Sequence, residues 1–196
     1  MSKKTVPTNR NAYIITGPTS GIGRATALEL AKHGTVVLVG RDLGRLDEVR
    51  KVIEQKGQHA VSVVCDLSDI FSVRRAAAEI IALHLPIVGL LNNAGIMPTR
   101  ATKNALGWDM SFATNHLGPF ALTEALVPHL PDGANVVFIA SAVENPEHTS
   151  PPRPSASAAV AISPQRRARA ASGNPSVPKC QVRTPTPRRS SAPSPR

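Results

Sequence analysis

Aromatic side chains are scarce: one Trp, one Tyr and four Phe among 196 residues, and none beyond Phe138. That scarcity excludes a reader of single-stranded nucleic acid built on stacking platforms. Cysteine is rarer still, and Cys65 and Cys180 stand in no paired spacing, which excludes a disulfide framework and a zinc-ribbon site. No apolar run approaches the roughly 18 residues a membrane span needs. The opening "MSKKTVPTNRNAYIITG" stays polar up to a short apolar strand, unlike a secretory leader. These absences point to the cytoplasm and away from a membrane partner.

Charge is lopsided. Residues 1–143 hold 14 Lys+Arg and 11 Asp+Glu, whereas 144–196 hold 9 and 2, together with 11 of the 18 prolines. A stretch so rich in Pro, Ser, Ala and Arg cannot bury enough apolar surface to offset chain entropy, so the expected organisation is an ordered domain over 1–145 and a disordered tail over 146–196. The tail's positive charge can attract phosphate non-specifically, but with no aromatic platform and no folded reader module a solvated charge run accounts for it better. Small residues near 156–163 suit no more than a helical turn, and no sixth strand is expected after 141. The abrupt change of composition also resembles translation of a GC-rich gene in a shifted reading frame.

The ordered part repeats one unit. "AYIIT" (12–16) is a short β-branched run followed by a glycine turn and by "SGIGRATALELAKHG" (20–34), whose helical spacing stops at Gly34, read as a glycine C-cap. The pattern recurs with "TVVLVG" before "DLGRLDEVRKVIEQKG", "AVSVVC" before "SDIFSVRRAAAEIIALH", "PIVGLLNNAG" before a helix over roughly 103–130, and finally "ANVVFIA". Strands that are continuously apolar are covered on both faces, which requires a parallel sheet with helices on each side. The expected fold is therefore α/β, a doubly wound, Rossmann-like sheet of about five strands in the order 3-2-1-4-5.

Two motifs carry chemistry. In "TGPTSGIG" (16–23) Gly17 permits the tight turn, Gly21 lets backbone approach a phosphate, and Gly23 lets the helix pack near the strand. With Thr19 alongside, the N–H groups of Ser20, Gly21 and Ile22 face an anion at the positive end of the helix dipole, as a dinucleotide pyrophosphate requires. At the end of the second strand stands Arg41, where dinucleotide folds meet the adenosine ribose. An arginine there pairs with a 2′-phosphate, which argues for NADP(H) over NAD(H); the alternative is a solvated arginine opening a helix beside Asp42.

Taken in order, Thr-Gly-x-x-x-Gly-x-Gly at 16–23, "CDLSD" after the third strand, "NNAG" at 92–95, "TNHLGPFALT" at 114–123 and "VVFIAS" at 136–141 resemble the signature of the short-chain dehydrogenase/reductases over about 130 residues. The wording of "NHLGPFALT" is most similar to the retinol-dehydrogenase-like and protochlorophyllide-reductase-like branches. The resemblance implies an NADP(H)-dependent oxidoreductase that interconverts a small-molecule carbonyl and its alcohol. It implies Asp66 as acceptor for the adenine amino group with Leu67 beside it, and Asn93, Ala94 and Gly95 along the ribose. Asp66 also reads as an N-cap shared with Ser68, and Asn93 equally as a structural bridge. Asn115 resembles the family's helix-kink asparagine in the proton relay, and Ser141 the serine that hydrogen-bonds the substrate carbonyl.

Family members then carry a Tyr and, four residues on, a Lys; the Tyr moves the substrate proton and the Lys lowers its pKa. This sequence contains no Tyr-x-x-x-Lys: its one tyrosine is Tyr13, in the first strand, and its last lysine is Lys179, in the tail. Of the nearest alternative acids, His148 stands in a Pro-flanked stretch with no orienting partner, and His129, between Pro128 and Pro131, reads as a solvated helix-end residue. The expectation is a cofactor-binding half of an oxidoreductase with little turnover, or a non-catalytic NADP(H)-binding or interaction protein. The helix that would carry Tyr and Lys forms much of the family's dimer face, so a homo-oligomer is not expected, and the strand "ANVVFIA" is left as an uncovered apolar edge.

Overall fold

A computed structural model describes residues 11–140 and the strand at 158–162. The apolar runs form β1 (Ala12–Thr16), β2 (Thr35–Gly40), β3 (Ala60–Val64), β4 (Ile87–Asn92) and β5 (Asn135–Ala140). Neighbouring strands among these five are parallel and lie in the order β3-β2-β1-β4-β5. This is the doubly wound order expected from the alternation of strand and helix signals.

The connecting helices begin where an aspartate supplies a cap. Before α1 (Gly21–Leu30) stands Ser20, but before α2 (Leu43–Gln55) Asp42 accepts from Arg45 N at 3.1 Å, and before α3 (Ile70–Ala82) Asp69 accepts from Phe71 N at 2.9 Å. Helices α1 and α2 bury Ala27, Leu46, Val49 and Ile53 against Ile15, Val36 and Leu38. On the other face α3 and the later helix α5 (Gly118–Leu126) bury Val73, Ala77, Ile80, Leu122 and Leu126 against Ile14, Val37, Val39, Leu90 and Val136. Successive residues of β2 thus enter opposite cores, which is why its run has no polar alternation.

Three local expectations are corrected. Helix α1 ends at a cap on Ala31, and Gly34 is absent from the positive-φ residues; it is glycine because the Asn11 carbonyl lies where a side chain would stand. The helix expected from 103 begins only at Met110: α4 (Met110–Phe112) continues through a π-turn (Ala113–Leu117) into α5 (Gly118–Leu126) and a 3₁₀ turn (Val127–His129). Residues 103–109 instead form a narrow turn closed by a Lys103–Asp109 bridge.

The third correction is a sixth strand. β6 (Ala158–Ile162) pairs antiparallel with β5, from Val136 opposite Ile162 to Ala140 opposite Ala158. Small residues with modest helix preference form a strand here because β5 offers an open row of backbone donors and acceptors. β5 is therefore not the sheet's edge. The remainder of 146–196 lies outside the described residues.

Candidate functional site

The carboxyl ends of β1–β4 open onto a crevice, and the turn after β1 forms its floor. Gly17 takes φ +67°, and its N–H donates to Val39 O at 2.9 Å, folding the chain back over β2. A Cβ on Gly23 would meet the Gly17 carbonyl and lie 2.5 Å from Asn93 Nδ2, so only glycine lets α1 start this close to β4. Ser20 gives α1 no side-chain cap, which leaves first-turn N–H groups available where Ser20, Gly21 and Ile22 line the crevice.

Thr16, wholly buried, ties the crevice together. Its Oγ1 accepts from Asn93 N and from Ala94 N, each at 3.0 Å, while Asn93 Nδ2 donates to Thr16 O at 3.0 Å and Gly17 O at 3.3 Å. The Asn93 amide thus joins the β4 loop to the glycine turn, while the residue also lines the crevice. Asn115 does the same for the next residues, its Oδ1 accepting from Ile96 N and its Nδ2 donating to Ile96 O, both at 2.8 Å. The π-turn centred on Asn115 aims that amide out of the helix toward the loop.

Asp66 closes a turn of its own. Its Oδ1 accepts from Ser68 N at 2.9 Å and Ser68 Oγ at 2.7 Å, and its backbone N donates to Ser72 Oγ at 3.0 Å. Helix α3 is capped by Asp69, so the expected capping role of Asp66 is corrected to a turn one step earlier. Its Oδ2 has no partner among the described residues and remains able to accept. Arg41 is exposed and pairs with no carboxylate among the described residues, because Asp42 is engaged by Arg45 N and, at 3.9 Å, by Arg45 Nε.

These segments enclose one cavity of about 830 Å³, and its walls include Gly17, Thr19, Ser20, Gly21, Ile22, Gly23, Arg41, Asp66, Leu67, Asn93, Ala94 and Gly95. Every dinucleotide-contacting position expected from the sequence is therefore brought to one place. Asn115 is not in the wall but clamps it, and Ser141 and His148 lie outside the described residues. Tyr13 stands apart, its ring against Gly89 in the sheet.

Sequence reasoning missed Arg45, Cys65, Met110, Thr114 and Ile139, which also line the cavity. Three of them stand close to a position it found: Arg45 lies one helical turn after Arg41, Cys65 precedes Asp66, and Thr114 precedes Asn115; Met110 has no such neighbour, and only the fold brings it to the wall. Burial pushes the Cys65 thiol up to about 12, with Asp66 and Asp69 adding to the shift. A thiol so placed stays protonated and inert.

Known proteins resemble this chain in sequence and in fold. The chain is 38% identical over 132 residues to human retinol dehydrogenase 13, a match covering 66% of this chain and 39% of that protein. A metagenomic short-chain oxidoreductase solved in complex with NADP is 33% identical with a TM-score of 0.53, over 60% of this chain and 55% of that one. A short chain dehydrogenase from Burkholderia cenocepacia J2315, also in complex with NADP, is 27% identical with a TM-score of 0.55, over 67% and 55%. The chain spans about two fifths of the length of the curated relatives it matches. The model of the short chain dehydrogenase family matches residues 11–162, and with the doubly wound sheet and the glycine turn in place, this chain belongs to that family.

Proposed function

We propose that the crevice binds a nicotinamide dinucleotide, NADP(H) ahead of NAD(H), in an oxidoreductase-type domain whose own turnover of carbonyl or alcohol is negligible. The observation that carries this reading is the convergence of the glycine turn, Arg41, Asp66 and the Asn93–Gly95 loop on one cavity. The residues fit the group. Uncapped N–H groups at the start of α1 suit a pyrophosphate; the guanidinium of Arg41 and Oδ2 of Asp66, neither of which has a partner among the described residues, suit a 2′-phosphate and the adenine amino group. The related proteins solved with NADP support the same assignment.

When bound, the nicotinamide ring supplies or accepts the hydride of a carbonyl/alcohol pair. The protein must then hold a proton at the substrate oxygen. The one tyrosine, Tyr13, lies half-buried in β1 with its ring against Gly89 and outside the cavity wall, and no Tyr-x-x-x-Lys occurs in the sequence. Lack of a positioned acid forfeits about 10²- to 10⁴-fold in rate.

Calorimetric titration of the purified chain with NADPH and NADH tests the binding. NADPH should bind more tightly, and Arg41→Ala should weaken NADPH by roughly tenfold or more while leaving NADH little changed. Equal affinities for the two would overturn the NADP(H) preference. Steady oxidation of NADPH with a panel of aldehydes and ketones would overturn the claim of negligible turnover.

A further inference from the structure

Between β4 and α4 the chain makes the narrow turn at residues 103–109. Asn104 N donates to Trp108 O at 2.9 Å, Gly107 N donates to Asn104 O at 3.0 Å, and Gly107 takes φ +82°. Inside this turn the Asn104 amide is fully engaged on its oxygen: Oδ1 accepts from Leu106 N and from Trp108 N, each at 3.0 Å. Its Nδ2 does something the turn does not require. It donates at 2.8 Å to Ser68 O, a residue 36 positions earlier.

That long-range bond ties one wall residue, Ser68, to the turn that runs into another, Met110, although Asn104 is not itself in the wall. Ser68 belongs to the turn closed by Asp66, in which both Ser68 N and Ser68 Oγ donate to the Asp66 carboxylate. The far leg of the 103–109 turn runs into Met110, whose N–H donates to Thr102 O at 2.8 Å, and Met110 and Thr114 are wall residues. An asparagine that only shaped its own turn would need the acceptor alone. The donor is spent on Ser68.

We propose that Asn104 is a positioning residue for the adenosine end of the dinucleotide site, holding the Asp66–Ser68 turn in register with the segment that carries Met110 and Thr114. The proposal rests on the reading that the cavity binds a dinucleotide. Asn104→Asp separates the two roles of the side chain: a carboxylate still accepts from Leu106 N and Trp108 N, but it cannot donate to Ser68 O and sets oxygen against oxygen there.

The experiment compares the whole chain with Asn104→Asp by calorimetry, using adenosine 2′,5′-bisphosphate and nicotinamide mononucleotide as probes. The variant should bind the adenosine probe about five- to tenfold more weakly, the loss expected for one hydrogen bond. Nicotinamide mononucleotide should be unaffected, and Tm should move by only a few degrees. A merely structural role would weaken both probes alike. Unchanged affinity for the adenosine probe in the variant would overturn the proposal and leave the dinucleotide reading standing, whereas failure of the parent chain to bind NADPH would overturn that reading itself. A second measurement does not depend on the variant folding. Trp108, the one tryptophan, sits in the same turn; its emission in the parent chain should shift on saturation with adenosine 2′,5′-bisphosphate, and an unchanged spectrum would count against the coupling.

Discussion

The two halves of the sheet are built from similar residues but finished differently. On β1 and β2, Ile14, Ile15, Val36, Val37 and Leu38 are wholly buried, alternating between a core under α1 and α2 and a core under α3 and α5. On β4 and β5 only one face is finished. Leu90 and Val136 are buried beneath the second helix pair; Leu91 is half-buried at the margin of the first core, and Val137 and Ile139, also half-buried, belong to neither core. A run of apolar residues in a parallel strand therefore declares that both faces are meant to be covered, and burial shows where the covering layer is in place.

The sharpest way to break this comparison is to truncate one side chain from each half. Leu38→Ala empties a site with no exposure and should cost about 2–5 kcal/mol. Ile139→Ala removes a half-buried side chain that belongs to neither core and should cost about 1 kcal/mol or less. Urea unfolding measures both. Equal losses would mean that the β4–β5 face is as fully packed as the β1–β2 face.

The next effect belongs to the seam between the halves. Thr16→Val keeps the volume but withdraws the acceptor that satisfies Asn93 N and Ala94 N. Two part-buried donors then lose their partner, at up to about 1–3 kcal/mol each. The variant should lose roughly 2 kcal/mol or more of stability and bind NADPH more weakly, because the loop from Asn93 to Gly95 is part of the cavity wall. Stability within 0.5 kcal/mol of the parent, a margin of about the size of a surface substitution, would show that the seam is held by something else.

How much of this was legible in advance follows the same division. The five parallel strands, their order and the convergence of the glycine turn, Arg41, Asp66 and Asn93 were readable, because each rests on a short pattern with one structural solution. The start of the helix at Met110 was not, since "KNALGWD" contains no proline and suits a helix by composition. Its turn is written in Asn104, Gly107 and the cap on Asp109, whose carboxylate accepts from Phe112 N at 2.9 Å. β6 was hidden for a different reason. Its alanines favour no strand by themselves, and only the open edge of β5, a long-range feature, selects that conformation. Thr16 illustrates a third kind of miss: it lies inside the quoted motif, but its work depends on a loop that arrives 77 residues later.

The smallest predicted effect lies on the finished half and depends on pH. Asp47 on α2 accepts from Arg50 Nε at 3.0 Å and from Ser62 Oγ of β3 at 2.9 Å, and Arg50 Nη1 donates to Glu54 Oε1 at 3.0 Å. The hydrogen bond from Arg50 holds the Asp47 carboxyl below its ordinary value of 3.8; burial opposes it, and Ser62 and the charges of Arg50 and Lys51 add to the lowering. A depressed folded pKa means that the unfolded chain takes up the proton first as pH falls. The contribution to stability is therefore complete above 3.8 and is lost as pH drops through the lower folded value. Because side chains here are about one third exposed, solvent screening keeps it below roughly 1 kcal/mol. Asp47→Asn retains an oxygen for Ser62 but removes the charge facing Arg50. Its deficit should be constant between about pH 5 and pH 8, shrink in high salt, and close as the pH falls through the lowered folded value. It should also add to that of Ile139→Ala within about 0.5 kcal/mol, since the two sites share no partner. A deficit that persists in acid would mean that shape rather than charge holds α2 to β3. A deficit that depends on Ile139 would mean that the two halves of the sheet are not energetically separate.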